Sequence, residues 1–73
     1  MGGHVKDEIG GKIYDTAQAT CIKRMEFAAY SQALYRTKDG EFFVAMEIAD
    51  GGSISVVSRE RAQKILNKMK ELS

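Results

Sequence analysis

The chain has 73 residues, so it holds one domain and a single modest core. Apolar residues make up 44% and charged residues 29%, which excludes a disordered or fibrous class. A net charge of +1 selects no partner by whole-protein field, and the single Cys21 excludes an internal disulfide.

The first ten residues are polar and glycine-rich, with Asp7 and Glu8 where a secretion signal would be apolar. They are expected to be a flexible segment preceding a domain over 11–73. No apolar run approaches the roughly 18 residues that cross a bilayer. The expectation is a cytoplasmic protein without membrane contact.

Lys12-Ile13-Tyr14 reads as a short strand. Asp15-Thr16 then offers a helix N-cap, with Gln18 three residues on as its reciprocal partner. Ala17, Cys21, Ile22 and Met25 follow at helical spacing, which predicts a helix over about 16–27. On that helix Cys21 lies on the apolar stripe, as a buried and inert thiol.

Tyr30 to Thr37 reads as a second strand and Glu41 to Ala49 as a third, joined by Lys38-Asp39-Gly40. Asp-Gly between apolar runs is a strong hairpin signal, because the turn needs a positive φ. In the third strand Phe42, Val44, Met46 and Ile48 alternate against Phe43, Ala45 and Glu47. Asp50-Gly51-Gly52 turns the chain into a last strand over 53–57. Ser58 then caps a helix over 58–73, on which Ala62, Ile65, Leu66, Met69 and Leu72 form an apolar stripe.

The order β-α-β-β-β-α predicts an α+β fold. Its sheet has three or four antiparallel strands, with both helices packed on one face. The other face would then be free, presenting Tyr35, Phe43 and Glu47 to a protein partner or to a second copy in a homodimer; the alternative is that Tyr35 and Phe43 fill a small secondary core beneath the N-terminal strand.

Little here suggests catalysis. His4 is the only histidine and lies in the glycine-rich N-terminal segment; with one cysteine besides, the chain lacks ligands for a tetrahedral zinc site. Gly10-Gly11 and Gly51-Gly52 lack the lysine and hydroxyl of a phosphate-binding loop. No catalytic residue, metal or cofactor is expected. Charge is polarised, however: over 58–73 five cations stand against two carboxylates, while the preceding residues are mildly acidic. Arg59, Arg61, Lys64 and Lys68 are therefore the candidates for a second reading, nucleic-acid binding.

Three stretches carry a resemblance: Lys12 to Thr16 with Ala17 and Ala19, Ala33 to Phe43, and Ile54 to Leu66. Together, over about Gly11 to Met69, they resemble a family of short bacterial proteins common in gut Firmicutes and on phages and other mobile elements. The shared pattern is a Tyr-Asp-Thr opening, a Leu-Tyr-Arg-Thr strand, a Gly-aromatic-Phe return strand and a final helix. This chain departs from it in a shorter connection before the hairpin and a compact turn at Asp50. It also has Arg59-Glu60-Arg61-Ala62 where that family is more acidic. The resemblance implies no activity, since no reaction or ligand is established for the family. Its mobile-element setting implies a small regulator or an inhibitor of host defence, such as an anti-CRISPR protein.

Overall fold

The structure is a computed structural model that describes residues 5–72. It is α+β, with six strands before a single helix. β1 (Lys6–Ile9) and β2 (Lys12–Asp15) form a two-stranded hairpin. β3 (Thr20–Glu26), β4 (Ser31–Arg36), β5 (Phe42–Ile48) and β6 (Gly51–Val57) form an antiparallel meander in that spatial order, and α1 spans Arg59–Leu72.

The turns are written locally. Gly10 and Gly11, at φ 60° and 80°, join the paired residues Ile9 and Lys12, the two-residue connection whose twist suits a hairpin. Lys38-Asp39-Gly40 turns the chain between β4 and β5 as the sequence predicts, closed by the Thr37 amide donating to the Glu41 carbonyl at 2.8 Å. Ser58 caps α1, its Oγ accepting from the Arg61 amide at 3.1 Å.

Two differences from the expected order matter. There is no helix over 16–27; residues 20–26 are β3, and only one turn precedes it. The capping signal at Asp15 is real but serves that turn. Its carboxylate accepts from the Ala17 amide at 2.9 Å, and its carbonyl accepts from Gln18 and Ala19. Beyond it, pairing with β4 decides the conformation, with Thr20 opposite Arg36 through to Glu26 opposite Ser31. β-branched Thr20 and Ile22 suit a strand better than a helix. The second difference is β1, which lies within the segment expected to be flexible.

The consequence is a three-layer arrangement, not two helices on one face. On one side of the meander α1 packs over β3, β4 and β5, burying Leu34 and Val44 with Ala62 and Met69. Ile65, Leu66, Phe42 and Val57 are half-buried around them. On the other side the β1–β2 hairpin closes over Ala33, Tyr35, Phe43, Ala45 and Ile54, contributing Val5 and Tyr14.

That second closure is tight. Phe43 is the hub: Tyr35 stacks on it at 5.2 Å between ring centroids and Tyr14 meets it edge-on at 5.6 Å. Ala33 and Ala45 carry only a Cβ and let the hairpin approach. Val5 lies against Gly52, where any Cβ would meet Val5 Cγ2 at 2.7 Å and the Met46 carbonyl oxygen at 2.8 Å.

Candidate functional site

The free sheet face does not exist. Tyr35 and Phe43 are 7% and 0% exposed, sealed beneath the hairpin, so neither is a surface anchor. The reason is the β1–β2 cover: the strand expected at 12–14 is β2, and with β1 it closes over this face as the less favoured of the two sequence readings has it. Glu47 shares their face but is drawn into an ion pair with Arg24 of β3 at 3.3 Å, its side chain 15% exposed. These residues hold the sheet together. Cys21 is likewise displaced: it lies exposed on β3 opposite Tyr35, not buried on a helix. His4 lies outside the described residues.

A polar cluster fixes the hairpin to the β4–β5 turn. The Lys12 ammonium donates to Glu41 Oε1 at 2.6 Å and pairs with Asp39 Oδ2 at 2.9 Å, while the Tyr14 hydroxyl donates to the same Glu41 oxygen at 2.9 Å. Hydrogen bonds from Lys12 hold the Glu41 and Asp39 carboxyls below their ordinary range, with Tyr14 adding to the effect on Glu41. The same bonds raise the Lys12 ammonium and the Tyr14 phenol above theirs.

The signs set a window. Lowered carboxyls stabilise the fold above their unfolded value of about 4, and this is lost as pH falls through the folded values. Raised Lys12 and Tyr14 stabilise it below about 10, and this is lost as pH climbs through theirs. The hairpin is therefore expected to loosen in acid. Amide protection over 9–13, taken relative to the intrinsic exchange rate at each pH, should fall between pH 5 and pH 3 more than protection in β5 does. In Lys12→Met that difference should shrink. Equal acid sensitivity in both proteins would dissociate the cluster from hairpin docking.

Among the described residues no group of three His, Cys, Asp or Glu side chains is placed to hold a metal ion, and no helix is long and apolar enough to cross a membrane. The grooves are open and shallow. The one beside the cluster is lined by Lys6, Lys12 and Lys38 together with Asp15 and Asp39, and so mixes both charge signs.

What remains is the pair of sheet edges, and they differ. β3 is guarded: its register shifts between Cys21 and Lys23, and Lys23, Arg24 and Glu26 line it. A bulge and charges are the usual devices that stop a foreign strand from pairing. β6 has neither. Its sequence Gly-Gly-Ser-Ile-Ser-Val-Val holds no charge and no proline, and it pairs with β5 through seven positions without a shift. No described strand hydrogen-bonds to its other side, although β1 touches its first residues, where Val5 lies against Gly52.

No family model, no curated protein and no solved structure matches this chain. The edge and the surface around it therefore have to be read from their own chemistry.

The basic residues of α1 stand where the sequence placed them, on a solvated helix. Arg59, with Gln63 and Leu66, lines a gap toward Ile22 of β3. At about 3.6 residues per turn, Arg61, Lys64 and Lys68 fall on the other flank. The four thus split into one cation toward β3 and a stripe of three away from it. Among the described residues the stripe makes no ion pair. Sequence reasoning found the charge but missed the edge. Its signal was the contrast between a charged outer strand and an uncharged one, which means something only once the strand order is known.

Proposed function

We propose that the chain is a small non-enzymatic protein-binding module that takes an extended segment of its partner as a fifth strand beside β6. The observation that supports this reading is the asymmetry of the edges: one is bulged and charged, the other is regular in register, neutral and without a second hydrogen-bonded neighbour from Ser53 to Val57. Unpaired backbone N–H and C=O groups on a flat edge form a template for β-augmentation, with affinity from main-chain hydrogen bonds. With both faces of β4 and β5 covered, the β6 edge is a surface with unused pairing capacity. The resemblance to mobile-element proteins fits a regulator that acts by occupying another protein.

The test uses an eight-residue peptide alternating serine and valine, and the same peptide N-methylated at every amide. Isotope-labelled protein should show shifts confined to β6 and its neighbours with the first, and none with the second, which cannot pair. Shifts along β3, or equal response to both peptides, would refute strand addition at this edge.

A further inference from the structure

Strand addition would accept almost any extended segment, so something beside the edge must select. The geometry points to an acidic extended peptide as the occupant, recognised by Arg61, Lys64 and Lys68. This rests on the β6 edge being the contact surface.

Three observations converge. First, α1 packs over β3, β4 and β5; of the β6 residues on the same face, Val57 is half-buried beside the helix while Ser53 and Ser55 are exposed. Register gives the face: Ser53 pairs with Met46 and Ser55 with Val44, which lies beneath the helix. Second, helical geometry puts Arg61, Lys64 and Lys68 on the side of α1 turned away from the gap that Arg59 and Gln63 line toward Ile22 of β3. Third, those cations are exposed and take part in no ion pair among the described residues.

A strand laid beside β6 alternates its side chains between the two faces of the sheet. Every second one would lie on the helix side, outboard of the two serines and beneath the cationic flank. Carboxylates at those positions meet the stripe; apolar side chains at the intervening ones meet Val56, which is 42% exposed on the hairpin side.

Charge also argues against the other occupants. Two copies joined antiparallel through β6 would keep both helices on one face and bring their cationic flanks toward each other, which disfavours a homodimer. Nucleic acid would use the stripe but leave the backbone groups of the edge unmatched. It would also find no exposed aromatic on β6 on which to stack a base.

The experiment compares three peptides of eight residues alternating valine with glutamate, serine or lysine, against the wild-type chain and the triple variant R61E/K64E/K68E. The glutamate peptide is expected to bind wild type about tenfold more tightly than the serine peptide, and the lysine peptide less tightly than either. The triple variant should invert that order while binding the serine peptide as wild type does, which shows the edge intact. The preference should fade in high salt.

Equal binding of all three peptides at β6 would overturn the acidic preference and leave the edge reading standing. Binding of none would overturn both. A single-stranded oligonucleotide that binds the stripe more tightly than the glutamate peptide would reassign the flank to nucleic acid. A concentration-dependent dimer that protects the β6 amides without peptide would give the edge to a second copy.

Discussion

Replacing Phe43 by alanine is expected to abolish the folded state at room temperature. Phe43 is fully buried, contacts Tyr35 and Tyr14 through its ring, and sits where the hairpin, β4 and β6 converge. Truncating a buried phenylalanine costs about 3–5 kcal/mol, through lost transfer energy and an unfilled cavity. A chain this short has roughly that much stability in total. Far-ultraviolet circular dichroism with urea titration is the check, and the expected outcome is no folded baseline. A variant that unfolds with the wild-type midpoint would return Phe43 to the surface and reopen the outer sheet face as a binding site.

Leu34→Ala should be nearly as damaging from the opposite side of the same sheet. Leu34 is 1% exposed and packs beneath α1 with Val44, Ala62 and Met69. The expected loss is about 2–5 kcal/mol. Because the two cores share β4 and β5 as a common wall, they should fail together. Helix signal and hairpin signal should disappear in one transition, in this variant as in wild type. Separate transitions, with α1 melting while the Tyr14–Phe43 contact persists, would mean the layers fold independently.

The parts of the fold legible in the sequence are those decided locally. Asp39-Gly40 between alternating runs, the period-two pattern from Phe42 to Ile48 and the Ser58 cap with its apolar stripe were all read correctly. In each, turn chemistry or periodicity acts within a few residues. The strand at Thr20–Glu26 was not legible, because Ala17, Cys21, Ile22 and Met25 satisfy helical spacing and the competing force is pairing with β4, a strand that lies outside the helical window, from Glu26 opposite Ser31 to Thr20 opposite Arg36. Gly10-Gly11 does carry a hairpin signal. Lys6-Asp7-Glu8, however, looks like solvated tail, and only the packing of Val5 and Tyr14 onto Phe43 holds β1 and β2 down.

The candidate site divides in the same way. Cations in α1 can be counted from the sequence, and their flank follows from helical geometry. That β6 is an uncovered edge is a property of strand order, and that Tyr35 and Phe43 are interior depends on a hairpin from the far end of the chain. The Lys12–Glu41–Tyr14 cluster is equally non-local, joining residues nearly thirty positions apart.

Residue-resolved amide exchange of the isolated protein, with and without the glutamate–valine peptide, decides whether β6 offers unused backbone pairing. The account predicts that every second amide from Ser53 to Val57 exchanges rapidly in the free monomer and slows when the peptide is added, while β3 is unchanged. If those amides are already as protected as the interior of β5, or if the peptide slows exchange elsewhere and leaves them untouched, β6 is not the docking edge.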